Sequence, residues 1–281
     1  MAKPLFMVRI LVAISFFTSL FFAAGAQSVP EATRAQSVQE AGKAQSVQEA
    51  ARALSVQEIV ARHIEALGGK EKLQSLNSVY QEGAAILPSG AQLSLKIWRV
   101  YDRLYREELD FGVGKIVVIV TPRQGWVSGP STGAVFKPLP EEQVKALQME
   151  IDPAGALADY SAKGNKIERA GLDTVNGRPC YLVRVWFPNN QFIIYSIDAK
   201  TWYILRERRK AGGIMGEASS DLGWHMPPDG NINIRFDDYR NTRGAYIFPF
   251  GMTIAGLGRI NIKKIEINGT VDVKALSKAP K

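Results

Sequence analysis

Reactive side chains are scarce in this 281-residue chain, which has one cysteine, Cys180, and two histidines, His63 and His225. A single cysteine excludes a disulfide scaffold. So few Cys and His also exclude the all-Cys/His zinc sites, leaving a transition metal only mixed carboxylate ligands. Catalytic signatures are missing as well: there is no G-x-S-x-G, no Walker-type loop, no G-x-G-x-x-G after a strand, no H-E-x-x-H and no calcium loop. What remains reads as structural. His63 lies on the apolar side of a helical pattern, Cys180 opens a strand with no acid or base pattern nearby, and Asp237-Asp238 are strand neighbours whose side chains should point to opposite faces. No catalytic residue, no cofactor and no metal site is expected, and the chain is not expected to be an enzyme.

The composition, 46% hydrophobic, 22% charged and 9% aromatic, is that of a globular protein and excludes a disordered or fibrous one. Residues 1–26 read as a cleaved secretory signal peptide. Lys3 and Arg9 precede an apolar stretch from Ile10 to Ala24, and Ala24-Gly25-Ala26 offers a small-x-small cleavage site. Cleavage would lower the net charge of +8 by two. No cysteine stands at the site to take a lipid, so the expected product is a soluble, unlipidated protein of the bacterial periplasm. Nucleic acid is not an expected partner for an exported chain.

Residues 27–53 form a tail with a period of nine: AQSVPEATR, AQSVQEAGK and AQSVQEAAR begin at Ala26, Ala35 and Ala44, and ALSVQEI begins at Ala53. Each copy contains the Ser-x-x-Glu spacing of a capping box. Only the last is followed by an apolar helical pattern, Val56, Ile59, Val60, His63, Ile64 and Leu67, which predicts a helix over Ser55–Leu67 ending at Gly68-Gly69. The earlier copies are either a flexible tail left by duplication of a helix start or a partner-binding arm.

From Ser78 onward β-branched and aromatic runs alternate with turn dipeptides such as Asn176-Gly177, Asp229-Gly230 and Asn268-Gly269. About eleven strands are expected, interrupted by helical pieces over Lys70–Leu76 and Pro140–Met149. Without helices between successive strands the sheet must be mainly antiparallel. The fold class is therefore α+β, one large curved antiparallel sheet with a few helices on one side. Three short helices cannot cover such a sheet, and curling around them would make a cavity.

Candidate lining residues are Ile97, Trp98, Tyr181, Val183, Val185, Phe192 and Ile194, with the inward parity left open, since one residue of slip exchanges the faces. The long segment between Ala211 and Gly230, with Met215, Trp224 and Met226, is either a lid over that cavity or a surface insertion. Positive charge gathers at Arg206, Arg208, Arg209 and Lys210, and again at Lys263 and Lys264. This is either an attraction to an anionic membrane surface or a solvated strand edge.

Three phrases, SVQEIVARHIEALGG (Ser55–Gly69), GRPCYLVRVWFPNNQFIIYSIDAKTWYILRERR (Gly177–Arg209) and FDDYRNTRGAYIFPFGMTI (Phe236–Ile254), the last followed by IKKIEINGTVD, resemble the LolA/LolB-like superfamily of periplasmic lipoprotein carriers, in particular its outer-membrane lipoprotein-sorting group. The resemblance covers most of Ser55–Asp272. It implies an incomplete β-barrel of about eleven strands over residues 54–275, plugged by helices on its concave side, with residues 276–281 as a C-terminal tail. It also implies an apolar interior for the acyl chains of a lipid or lipoprotein, and transport without chemistry. The expected function is thus a monomeric carrier or chaperone, and the alternative an envelope sensor or assembly factor that binds a protein partner.

Overall fold

The computed structural model of the protein describes residues 54–212, 225 and 227–278. The expected signal peptide, the repeat tail and the lid candidates Met215, Trp224 and Met226 lie outside the described residues. Helix α1 (Val56–Ala66) starts as its sequence requires. The Ser55 hydroxyl accepts from the Glu58 N–H at 3.2 Å, and the Glu58 carboxylate accepts from the Ser55 N–H at 2.8 Å. Such a cap contributes about 1 kcal/mol, and burying Ile59 and Val60 adds about 1.5–3 kcal/mol each. Gly68 ends the helix with φ of 120°, where a Cβ would meet the Ala245 carbonyl oxygen at 2.7 Å. A short helix, α2 (Lys70–Gln74), follows.

Among the described residues thirteen strands, all antiparallel to their neighbours, make one open sheet. They are β1 (Ser78–Ile86), β2 (Gln92–Val100), β3 (Leu104–Asp110), β4 (Lys115–Val120), β5 (Gly125–Ser128), β6 (Lys137–Pro138), β7 (Lys166–Val175), β8 (Arg178–Trp186), β9 (Phe192–Asp198), β10 (Ile204–Lys210), β11 (Asn231–Asn241), β12 (Ile247–Ile254) and β13 (Gly258–Ile267). The strand order is β6-β5-β4-β3-β2-β1-β13-β12-β11-β10-β9-β8-β7. Two meanders therefore meet at the β1–β13 seam, and β6 and β7 are the two free edges.

The expected count of about eleven is corrected to thirteen. The chain turns between β2 and β3 at Tyr101–Arg103, with Asp102 at φ 52°, a break that neither glycine nor proline marks in the sequence. The two-residue β6 is too short to leave a periodic signal.

Because β6 and β7 lie at opposite edges, residues 139–165 must cross from one side of the sheet to the other. This link contains helix α3 (Glu141–Leu147) and a 3-10 turn, Gln148–Ile151. Val144, Leu147 and Ile151 pack into one cluster with Leu95 and Ile97 of β2, Val118 of β4, and Ile232, Ile254 and Ile260 of β11, β12 and β13. Residues from both meanders reach the same short helix only if the sheet curls around it. Further along the same concave face, Tyr181, Val183, Val185, Ile193 and Ile197 pack against Ile59 and Val60 of α1. On the convex face, Val100, Leu104, Val117 and Ile119 are covered by Val271, Val273 and Leu276. The last two belong to the short helix α4 (Val273–Leu276), and Arg106 Nη1 donates to the Leu276 carbonyl at 2.8 Å.

Candidate functional site: the concave face and its link

The centre of the concave face is charged. Arg99 on β2 donates to Glu150 Oε2 through Nη2 at 2.6 Å and Nε at 3.2 Å, while Arg209 on β10 donates to Glu150 Oε1 through Nη2 at 2.6 Å. One carboxylate near the middle of the link thus holds guanidinium groups from both meanders. Arg99 Nη1 also donates to Gln81 Oε1 at 2.5 Å, and Arg209 Nε lies 2.5 Å from Glu207 Oε1. The arginine side chains are 21% and 10% exposed and that of Glu150 is 14% exposed. Burial opposes ionisation of Glu150, but Arg209 and Arg99 outweigh it and hold the carboxyl well below the usual range. For Glu207 burial wins over Arg209, whose charge is shared with Glu150, and its pKa is raised.

Glu107 on β3 faces the same cluster, with the Tyr105 hydroxyl donating to it at 2.9 Å. Burial first, and then the nearby Glu150, push its carboxyl up to about 7, against the opposing pull of Tyr105, Arg99 and Arg209. A carboxyl raised in the fold contributes stability below its unfolded value of 4.5 and loses it as pH rises towards 7. Glu107→Gln should therefore match the wild type near pH 4 and exceed it by about 1–3 kcal/mol above pH 7. Urea unfolding at pH 4, 6 and 8 measures this difference, and a difference that does not grow with pH would contradict the assignment.

Open spaces flank the link. A cavity of about 170 Å³ lies between the link and the sheet, lined among others by His63, Leu67, Tyr195, Glu207 and Phe236. A groove of about 360 Å³ runs past Tyr101, Met149, Ile151 and Phe187, and Ala156 of the link lines both. A larger groove of about 720 Å³ separates α1 and α2 from residues 157–162.

Strand alternation divides the seven candidate lining residues between the two faces. Ile97, Tyr181, Val183 and Val185 are concave and buried. Trp98 has the opposite parity and lies against Tyr80 with ring centroids 5.0 Å apart, while Phe192 lies against Trp186 at 5.0 Å. Ile194 shares the parity of Phe192 and is also convex.

The basic cluster separates in the same way. Arg209 turns inward, Arg206 pairs with Asp173 and Lys264 with Glu266, while Arg208 and Lys210 are exposed. His63 is buried with Nδ1 2.8 Å from the Trp202 carbonyl oxygen, and burial pushes its pKa down to about 4. The Cys180 thiol is buried, and burial together with Asp198 and Asp173 pushes it up to about 11. Asp237 is held by Arg259 at 2.7 and 2.8 Å, and Asp238 pairs with Arg240.

An open, curled antiparallel sheet with a helical link laid across its concave face defines a half-barrel with an internal plug. The chain is similar to a DUF1329 family protein from Desulfovibrio piger, at 11% identity over 79% of this chain and 99% of that one, with a TM-score of 0.49. It is similar to a LolA superfamily protein from Nitrosomonas europaea at 12% identity, over 80% and 99%, with a TM-score of 0.48. A protein described as an outer membrane lipoprotein-sorting protein domain, from Vibrio parahaemolyticus, matches at 9% identity over 79% and 97%, with a TM-score of 0.45. No family model matches the sequence, and no curated protein does.

Proposed function

We propose that the protein is a periplasmic carrier or chaperone that shelters the acyl chains of a lipid or lipoprotein against its concave face and neither makes nor breaks covalent bonds. The observation that carries this reading is the covering of that face. An apolar sheet surface is closed by a single link and short helices rather than by a second sheet, with open space on both sides of the link. The cavity of about 170 Å³ between the link and the sheet is smaller than an ordinary ligand pocket of roughly 300–1,000 Å³. Cargo therefore enters by displacing the link, and each buried methylene contributes about 0.8 kcal/mol.

Exposed Arg208 and Lys210 beside the Trp186–Phe192 pair support an approach of the convex face to anionic headgroups. The groove beside α1 and α2, with Val60, Ile64 and Leu73 in its lining, favours the second reading, a sensor or assembly factor with a protein partner.

Native mass spectrometry of the protein purified from its envelope without detergent, followed by lipid extraction, distinguishes the two. The carrier reading expects a co-purifying amphiphile and displacement of a fluorescent fatty-acid probe. Recovery of no amphiphile together with no probe binding would sink it and leave the partner-protein reading.

A further inference from the structure

We propose that Arg99 and Arg209 form a binding site for the anionic headgroup of an amphiphile, a phosphate or carboxylate, and that Glu150 of the link fills this site when no cargo is bound. The inference rests on the carrier reading and adds to it the chemistry of the headgroup.

The two guanidinium groups come from strands separated in the sheet by β1, β13, β12 and β11, yet each binds a different oxygen of one carboxylate at 2.6 Å. Convergence of two arginines on one acceptor is the arrangement that recognises a multi-oxygen anion. Here the acceptor is too small for its donors. Arg209 Nη1 is buried without a hydrogen-bond partner, and Nε, although close to Glu207, makes no well-aligned bond. Glu150 accepts from Arg99 Nε and Nη2 and from Arg209 Nη2, and Arg209 Nη1 is left unpaired. A phosphate group has additional oxygens that could satisfy the orphaned donor, whose burial otherwise costs free energy.

The surroundings suit the tail of such a ligand. Ile232 and Ile234 lie in the apolar cluster that the link covers, and Tyr105 lies 5.5 Å beneath the Arg99 guanidinium. Glu150 itself sits on the 3-10 turn whose Gln148, Met149 and Ile151 line the 360 Å³ groove, while Glu207, the neighbour of Arg209, lines the 170 Å³ cavity. Withdrawing the turn would uncover the arginine pair. It would also remove one negative charge from a buried group containing Arg99, Arg209, Glu207 and Glu107. An anionic headgroup restores that charge, whereas a neutral headgroup leaves the pair uncompensated.

The test compares dodecyl phosphate with dodecanol, matched in chain length, and with inorganic phosphate, using isothermal titration on the full chain and on Glu150→Gln. The wild type should bind dodecyl phosphate at least tenfold more tightly than dodecanol. Glu150→Gln should strengthen the binding of both amphiphiles by about tenfold, because the tethered competitor that either must displace is gone, and should leave dodecyl phosphate at least tenfold tighter than dodecanol. Equal binding of the two amphiphiles, to the wild type or to Glu150→Gln, would overturn the headgroup site and leave the carrier reading standing. Inorganic phosphate binding as tightly as dodecyl phosphate would overturn the headgroup assignment in favour of a free-phosphate site. Binding of neither amphiphile would overturn both readings. The wild-type comparison decides the matter even if the variant does not fold.

Discussion

Glu150→Ala is expected to cost about 3–5 kcal/mol of folding stability at neutral pH, because it leaves two buried guanidinium groups facing each other without their shared counter-charge. Arg209 suffers most. It would keep only Glu207, whose own carboxyl is pushed upward by burial. The carboxyl of Glu150 is depressed in the fold, so its contribution is present above the unfolded value of 4.5 and fades as pH falls through the lower folded value. The deficit of Glu150→Ala should therefore be largest near pH 7 and shrink in acid, opposite to the pH course expected of Glu107→Gln. Urea midpoints measured from pH 3 to pH 8 test both halves of this statement. A deficit that persists unchanged at pH 3 would mean that lost packing, and not charge, is what the alanine removes.

The second large effect belongs to the seam. Gly83 stands where the register of β1 against β13 shifts, and a Cβ there would lie 2.2 Å from the Asn261 carbonyl oxygen and 2.9 Å from Ile262 Cα. Both are backbone atoms of the partner strand, so no side chain can rotate out of the way. Gly83→Ala should cost about 3 kcal/mol through displacement of β13, lowering the melting temperature by roughly 6–12 °C. The β1–β13 ladder is the direct junction between the two meanders, so the loss should appear as one cooperative transition at lower temperature. An unchanged melting temperature would show that the seam yields at no cost.

Local chemistry made α1 readable, since Ser55 and Glu58 mark its start and two glycines its end. The antiparallel order was readable from hairpin turns such as Asn176-Gly177 and from the lack of helices between strands. Strand β3 was hidden for a physical reason. Its concave positions are Tyr105, Glu107 and Leu109, so a charge falls where alternation leads one to expect an apolar residue, and the turn before it has neither glycine nor proline.

Parity on β8 and β9 was hidden because both faces carry apolar residues, Trp186 and Phe192 outside, Val185 and Ile193 inside. The charged centre was the least visible feature. Arg99, Glu107, Glu150 and Arg209 are far apart in sequence, and only the curl of the sheet and the topologically forced link bring them together. One signal did exist: Glu207 and Arg209 share a parity with the apolar Tyr195 and Ile193 opposite them, which places a pair of charges on a face that should be dry.

The two free edges have a consequence for how the chain meets copies of itself. A sheet this wide could in principle keep growing by pairing with a strand from another molecule. One edge stops at Lys137-Pro138, where proline has no N–H to donate and lysine brings a charge that a passing strand would have to bury. At the other edge, β7 is kinked at Gly171, with φ of 124° and a shift in register, and carries Lys166, Glu168 and Arg169. Neither edge offers a long, flat row of free donors and acceptors. The borders of this broad apolar sheet therefore do not seed edge-to-edge aggregation.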